Sequence, residues 1–190
     1  MDIRRWWFEN RSTTPLGLIF FLIYHGRPNP FSMSIGISFM LLGEVCRIFA
    51  ISASGLATRA RKVCADFLTT DGIYRFTRNP IYFGNFLISC GFIILSRVVW
   101  LWPVFLSLFI LQYSAIIDLE EEFLEKKFQD EFRDYKKNVP RFWPAIPDSN
   151  FISKGHQRIY TKAVLNEKRT LTSILILLLI FLVKMRNHDT

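Results

Sequence analysis

Four apolar stretches limit the folds open to this chain more than any other feature of its sequence. They run from Pro15 to Tyr24, from Phe31 to about Ile51, from Pro80 to about Leu95 and from about Pro103 to Ile117. The stretch that begins at Phe31 can cross the hydrocarbon core of a bilayer, which takes about 20 residues in a helix. The sequence therefore predicts an all-α fold, a polytopic membrane helix bundle with four core transmembrane helices.

The composition supports a membrane protein and argues against several other classes. Hydrophobic residues make up 51% of the 190 residues and aromatic residues 16%, which exceeds ordinary soluble usage. Lys and Arg outnumber Asp and Glu by 24 to 16, and in a membrane protein this excess indicates cytoplasmic loops and anionic lipid rather than nucleic acid. The three cysteines form no C-x-x-C pair and the three histidines are far apart, so neither a disulfide framework nor a metal site is predicted.

Basic residues predict which segments face the cytoplasm. The segment from Met1 to Arg11 mixes arginines with tryptophans, and the loop from Ser52 to Thr70 contains Arg59, Arg61 and Lys62. Under the positive-inside rule both segments are expected on the cytoplasmic side. A cleavable signal peptide fits poorly, because no small-residue cleavage site follows the first apolar stretch.

The C-terminal part of the chain contains a fifth apolar stretch of undecided role. Leu171 to Val183 is strongly apolar but shorter than a usual membrane span. It either crosses the bilayer together with its flanks, from about Ala163, or lies in the interface. The predicted division is a membrane-embedded domain at 1–147 and a C-terminal extension at 148–190.

The segment from Asp71 to Asn85 is the most informative stretch of the chain. The Asn79-Pro80 dipeptide predicts a helix that begins at Pro80, with Asn79 as its N-cap. The N-terminus of a helix can hold an anion, and Gly84 and Gly91 on one stripe leave room for a ligand or another backbone. The plainer interpretation is a basic, aromatic start of a helix at the inner leaflet.

The fourth helix is expected to leave the membrane as one continuous rod, a cytoplasmic extension that forms part of a ligand site. No glycine or proline interrupts Val104 to Asn138. Helical spacing places Glu120 and Glu121 on its apolar face and Glu122 beside Lys126. The other residues of that apolar face are Leu124, Phe128, Phe132 and Tyr135.

Carboxylates on an apolar face are costly unless they meet a partner. For Glu120 and Glu121 the partner is either a cationic ligand or a basic residue of the preceding segment, Arg75 or Arg78. In the second apolar stretch, Glu44 and Arg47 are three residues apart and are expected to share a face and pair.

Two motifs of the chain carry a resemblance to a known family. The first is G-x-Y-R-x-x-R-N-P-x-Y-x-G, from Gly72 to Gly84, and the second is E-E-E-F-L followed by V-P-R-F-x-P, from Glu120 to Pro144. Together they resemble the isoprenylcysteine carboxyl methyltransferases and their phospholipid N-methyltransferase relatives, over roughly Gly36 to Pro144. These are integral-membrane enzymes that use S-adenosyl-L-methionine.

The resemblance implies a methyltransferase with its active site at the cytoplasmic face and a lipidic or small hydrophobic substrate that enters from the bilayer. The implied catalytic residues are Arg78, Tyr82 and Glu121. The implied cofactor-binding residues are Tyr74, Arg75, Asn79, Pro80, Tyr82, Gly84, Glu120 and Glu121, with Val139 to Phe142 as a capping turn. Weaker substrate candidates are Arg47, Arg59, Arg61 and Arg141.

The chain departs from the family pattern at two places. Many relatives have histidine where this chain has Asn79, and the carboxyl methyltransferases usually carry an arginine shortly before the acidic pair, where this chain has Ile116, Ile117 and Asp118. Phospholipid N-methylation, which needs no arginine for a substrate carboxylate, is therefore the main alternative. A non-catalytic lipid-binding or interaction protein and a membrane reductase with a related C-terminal half are the others.

Overall fold

The computed structural model describes residues 3–11, 13–54, 65–146 and 160–186, and every regular element in these ranges is helical. The predicted all-α class is confirmed. The α-helices are α1 (Ile3–Asn10), α2 (Leu16–His25), α3 (Pro30–Ser54), α4 (Pro80–Ser96), α5 (Trp102–Asn138), α6 (Tyr160–Asn166) and α7 (Lys168–Arg186). Short 3-10 turns precede α4 at Gly72–Arg75 and α5 at Val99–Leu101.

Two helical segments are long and apolar enough to cross a membrane. They are α3 and the segment Val99–Asn138, which contains α5. The helices α2 and α4 are apolar but shorter. Their boundaries agree with the predicted apolar stretches to within a few residues.

Helices α3 and α4 form the centre of the bundle through two pairs of glycines. Gly36 faces Gly91 and, two turns along, Gly43 faces Gly84, so the helices run antiparallel in a fixed register. A Cβ atom on Gly84 would lie 2.7 Å from the Gly43 carbonyl oxygen, and one on Gly91 would lie 2.6 Å from that of Gly36. Glycine at these positions therefore permits a close backbone contact, as in membrane helix pairs.

The two helices begin in different ways. At α3, Asn29 caps the helix, since its side-chain Oδ1 accepts from the backbone amide of Ser32 at 2.7 Å and its own backbone amide donates to Ser32 Oγ at 3.0 Å. At α4, Pro80 occupies the first turn as predicted, but the Asn79 side chain makes no cap hydrogen bond. The predicted side-chain cap at Asn79 is wrong, because its amide group is used for a longer-range contact described below.

The prediction of one unbroken rod for α5 is also wrong. Gln129 has φ 45° and ψ −114°, a non-helical conformation that breaks the helix within its charged C-terminal part. Phe132 and Tyr135, beyond the break, are buried against Leu68 and Val139. This packing compensates for the break. The sequence did not show the break, because a search for glycine and proline detects only local helix breakers.

Helix α7 contacts the rest of the bundle at both of its ends. Near its start, Glu167 pairs with Arg47 of α3 at 2.7 Å. Near its end, Phe181 is fully buried, and Lys184 Nζ donates to the carbonyls of Ile23 and Tyr24 in the last turn of α2. A helix of 19 residues is about 28 Å long, so α7 runs along much of the bundle.

Candidate functional site

The site lies where α4 begins and where the apolar part of α5, which ends at Ile117, gives way to charged residues. Tyr82, in the first turn of α4, is buried and donates its hydroxyl proton to Glu120 Oε1 at 2.6 Å. Its ring lies 5.0 Å from the ring of Tyr113, between centroids. The two motifs of the sequence thus meet at this hydrogen bond.

Arg78 connects three segments around the same point. Its Nε donates to Glu121 Oε1 at 3.0 Å, and its Nη1 donates to the carbonyls of Lys136 and Val139. Its backbone amide also donates to the Pro140 carbonyl at 2.9 Å. Of the two arginines expected as structural partners of the acidic pair, Arg78 therefore binds Glu121 in this structure.

The turn that follows α5 folds back over the start of α4. Asn79 Nδ2 donates to the Arg141 carbonyl at 2.8 Å, and the buried Thr77 hydroxyl donates to the Phe142 carbonyl at 2.9 Å. Further on, the Ala145 amide donates to the Phe76 carbonyl. The turn predicted at Val139 to Phe142 thus covers the helix start, and Asn79 serves to hold this turn.

Arg141 adds positive charge at the edge of the site. It forms an ion pair with Asp118 and approaches Glu121 Oε1 to 3.8 Å. Because Asp118 and Glu121 already neutralise it, Arg141 could bind a substrate anion only by exchanging one of these partners.

Helix α1 also packs over the site. Phe8 packs with Tyr82, Ile116 and Ile117, and Arg11 lies over the Phe8 ring, 4.2 Å from its centroid. The Arg11 guanidinium donates to the Phe8 carbonyl and is close enough to favour the ionised form of Glu120.

The protonation of Glu120 is strongly altered by its surroundings. Burial raises the pKa of its carboxyl to about 7, and this rise outweighs the opposite effects of the Tyr82 hydrogen bond and of Arg11. Glu122, by contrast, is exposed and pairs with Lys126 and Arg4, which lower its pKa. The prediction that these neighbouring glutamates have different surroundings is confirmed.

The other predicted site residues are placed as follows. Tyr74 lies in the 3-10 turn, where its carbonyl accepts from the Tyr135 hydroxyl at 2.7 Å, and burial raises the pKa of its own hydroxyl. Arg75 is in the same turn, and Pro80 is fully buried. Gly84 faces Gly43 and Arg47, so backbone packing accounts for this glycine. Arg59 and Arg61 lie outside the described residues.

Arg47 is the centre of a second polar cluster, deeper in the bundle. It pairs with Glu44 at 3.4 Å, as predicted, and with Glu167 at 2.7 Å. It also donates to Asn85 Oδ1, and Asn85 Nδ2 donates to the Tyr113 hydroxyl at 3.1 Å. All three charged side chains are almost completely buried.

The sequence patterns did not single out Arg11, Asn85, Tyr113 or Glu167. Asn85 had a usable signal, since it stands three residues after Tyr82 and so shares its helix face. The partners of Arg11 and Glu167 are distant in sequence, so only the three-dimensional structure identifies them. Among the residues that the structure describes, no three His, Cys, Asp or Glu side chains are grouped as metal ligands.

These features define a class: a helical bundle with apolar spans and a site of paired acidic, basic and tyrosine side chains at one end of them. Residues 31–131 match the family model described as phospholipid methyltransferase, which is more than half of the chain. The chain belongs to the phospholipid methyltransferase family.

Curated relatives agree with the resemblance to isoprenylcysteine methyltransferases. The chain is 30% identical to a protein-S-isoprenylcysteine O-methyltransferase of Dictyostelium discoideum, over 60% of this chain and 48% of the relative. It is 31% identical to the protein of the same name from Schizosaccharomyces pombe, over 58% of this chain and 49% of the relative. The predicted family resemblance is confirmed.

A third relative has a different name. The chain is 31% identical to a nickel-cobalt-cadmium resistance protein of Alcaligenes xylosoxydans xylosoxydans, over 48% of this chain and 46% of the relative. The chain thus spans about half the length of the curated relatives it matches. No solved structure matches it.

Proposed function

We propose that this protein is an integral-membrane methyltransferase that uses S-adenosyl-L-methionine and acts on a lipidic or small hydrophobic substrate. The observation that carries the proposal is the pairing of Tyr82 with Glu120 and of Arg78 with Glu121. These two contacts join both family motifs into one site beside the apolar helices. Membership of the phospholipid methyltransferase family supports the reaction class.

The residues at the site fit the proposed cofactor. Burial raises the pKa of the Glu120 carboxyl to about 7, because Tyr82 and Arg11 offset the cost of burial only in part, and a cation beside it would favour its ionised form. The aromatic rings of Tyr82 and Tyr113 lie next to it and can face a cation. S-adenosyl-L-methionine supplies a methyl group already activated on a sulfonium cation.

In this proposal Glu120 and Tyr82 bind the cofactor, and Glu121 and Arg78 keep the site in shape. Arg78 holds the turn at Val139 and Pro140 over the start of α4, while Phe8 of α1 packs against Tyr82. Both covers exclude water from the point of transfer. The protein's contribution is then mainly the alignment of the acceptor for in-line attack.

The same proposal includes an arrangement in the membrane. Helices α2, α3 and α4 and the apolar part of α5 form four core spans, and α7 is a fifth, because it reaches from the level of Arg47 to the end of α2. The site lies at the cytoplasmic face, on the side of the basic loops. The acceptor enters laterally from the bilayer.

The chemical nature of the methyl acceptor has two candidates. The names of the first two relatives favour the carboxylate of an isoprenylated cysteine. The absence of an arginine at residues 116–118 and the engagement of Arg141 by Asp118 favour an amine-bearing phospholipid head group, which needs no basic clamp.

The test is transfer of a labelled methyl group by purified protein in lipid. Labelled S-adenosyl-L-methionine would be incubated with the protein and either an isoprenylated cysteine or a phosphatidylethanolamine vesicle. Base-labile label in the cysteine substrate indicates a carboxyl ester, and base-stable label in the lipid indicates an N-methyl product. Absence of label in both substrates and in a total lipid extract, together with no binding of the cofactor, would leave the non-catalytic lipid-binding alternative.

A further inference from the structure

We propose that Glu167, at the start of the C-terminal helix, is a positioning residue that acts through Arg47 and Asn85 to fix the Tyr113 hydroxyl beside Tyr82. The inference rests on the proposed methyltransferase function. It also gives the C-terminal segment, which lies beyond residues 31–131 matched by the family model, a part in the site.

Glu167 and Arg47 form a buried ion pair. Glu167 is completely buried, and its Oε2 lies 2.7 Å from Arg47 Nη2. Glu44, on the same helix as Arg47, lies 3.4 Å from Arg47 Nε. Hydrogen bonds from Nη2 to Glu167 and from Nη1 to Asn85 fix the plane of this buried guanidinium, since the donors of arginine point in set directions, and Glu44 adds a second negative charge nearby.

Arg47 fixes the orientation of the Asn85 side chain. Arg47 Nη1 can only donate, so the oxygen of the Asn85 amide must face it and the nitrogen must face away. That nitrogen donates to the Tyr113 hydroxyl oxygen at 3.1 Å. The Arg47 guanidinium thus determines that the nitrogen of the Asn85 amide, and not its oxygen, contacts Tyr113.

Asn85 in turn fixes the orientation of the Tyr113 hydroxyl. Its oxygen accepts from Asn85, so its own proton remains to be donated, and no hydrogen bond donated by this hydroxyl occurs among the described residues. The Tyr113 ring lies 5.0 Å from that of Tyr82, whose hydroxyl binds Glu120. Tyr113 is therefore held as a hydrogen-bond donor next to the cofactor site, on its membrane side, where the polar head of the acceptor is expected.

The experiment measures kcat and KM for the methyl acceptor in Tyr113→Phe, Glu167→Gln and the double variant, with cofactor affinity measured separately. Tyr113→Phe keeps the ring and removes only the donor. We expect each single variant to lower kcat/KM for the acceptor roughly tenfold, the loss of one hydrogen bond, with cofactor affinity unchanged. The double variant should lose no more than Tyr113→Phe alone, because both changes remove the same contact.

Two further variants separate positioning from general loosening of α7. Lys184→Met removes the contact of α7 with the Ile23 and Tyr24 carbonyls at the other end of the helix and should leave the acceptor kinetics unchanged. Glu167→Asp keeps the charge and should recover part of the activity that Glu167→Gln loses.

The outcomes distinguish the two proposals. Unchanged kinetics in folded Glu167→Gln, or losses that add in the double variant, would overturn the positioning role while the methyltransferase function stands. If Glu167→Gln does not fold, Tyr113→Phe decides, since it leaves the ion pair intact and unchanged acceptor kinetics there would overturn the proposal. Absence of methyl transfer by the wild-type protein would overturn the function and this role together.

Discussion

The Tyr82 hydroxyl donates to Glu120 at 2.6 Å, whereas the neighbouring Glu121 is bound by the guanidinium of Arg78. Two adjacent carboxylates of one helix therefore differ in their partners. Glu121 is neutralised by the protein itself, and Glu120 meets only a neutral donor at hydrogen-bonding distance among the described side chains. The cation of the proposed cofactor should consequently interact most strongly with Glu120.

Glu120→Gln should weaken the binding of S-adenosyl-L-methionine by about 1.5 to 3 kcal/mol, the range for a hydrogen bond to a charged group. Titration calorimetry on purified protein measures this change. Glu122→Gln is the matched control, because Glu122 is exposed and pairs with Lys126 on the surface. This variant should bind S-adenosyl-L-methionine with unchanged affinity. Similar losses in both variants would show that the effect is one of overall charge.

The family resemblance implies that Glu121 also binds the cofactor, so that Glu121→Gln would weaken cofactor binding in the same way. In the structure its carboxylate binds Arg78 and lies near Arg141. Part of its effect should therefore appear as lower stability, and a fall in the unfolding temperature without cofactor would separate this effect from a loss of affinity.

The pH dependence of cofactor binding provides a second test of Glu120. Burial raises the pKa of this carboxyl to about 7, and a bound cation favours the ionised form. Affinity should therefore decrease as the pH falls below about 7, by up to tenfold per unit, and should level off above it. The comparison is the affinity at pH 5.5 and at pH 8 in wild type and in Glu120→Gln, which should lose this difference.

The same raised pKa makes the stability of the free protein fall as the pH rises, whereas the affinity for the cofactor increases. A raised carboxyl pKa means that the fold prefers the protonated form, so the contribution of Glu120 to stability is present at low pH and is lost as the pH rises from about 4.5 to about 7. Thermal unfolding of wild type relative to Glu120→Gln across this range should show the loss. A flat difference would contradict the burial of the charge.

The sequence predicted those parts of the site that depend on local rules. Helical spacing alone separated Glu122 from Glu120 and Glu121 and paired Glu44 with Arg47, and both results are confirmed. The start of α4 at Pro80 followed from the restricted backbone of proline. Each of these inferences needs only residues within about one turn of each other.

The parts that were missed depend on contacts between distant segments. Arg11 approaches Glu120 and Glu167 approaches Arg47 only because whole helices dock. The break at Gln129 has no signal from glycine or proline, and the burial of Phe132 and Tyr135 beyond it compensates for the non-helical residue. No local pattern contains such information, because the stabilising contacts are made by other helices.

Arg78 should be important for stability as well as for the site. Arg78→Ala would leave Glu121 without its closest partner and would release the carbonyls of Lys136 and Val139, so a loss of about 3 to 5 kcal/mol is expected for breaking this buried pair. Unfolding in denaturant, in detergent solution, measures it. Arg133→Ala removes an exposed pair with Asp130 and should be nearly silent, whereas equal losses in both variants would contradict the difference in burial.

The proposed orientation in the membrane can be tested with single cysteines in a background that lacks the native ones. Cysteines at Ser54 and Ser149 should be protected from an impermeant reagent added outside intact cells, because the basic segments are expected in the cytoplasm. A cysteine at Val99, an exposed residue in the connection between α4 and α5, should be labelled. The reverse pattern would place the site on the outer face.

The glycine pairs of α3 and α4 predict that a substitution at Gly84 lowers the stability of the protein. The family resemblance places Gly84 among the implied cofactor-binding residues, but Gly84 faces the Gly43 carbonyl and the Arg47 side chain. Even Gly84→Ala places a Cβ atom 2.7 Å from that carbonyl and should destabilise the protein by about 1 to 3 kcal/mol through overpacking.

Gly17 is the control, since a Cβ atom there meets nothing within 4 Å and Gly17→Ala should be neutral or stabilise α2 by up to about 1 kcal/mol. Unfolding temperatures of both variants in detergent measure the difference, and an undiminished stability in Gly84→Ala would refute the close contact between α3 and α4.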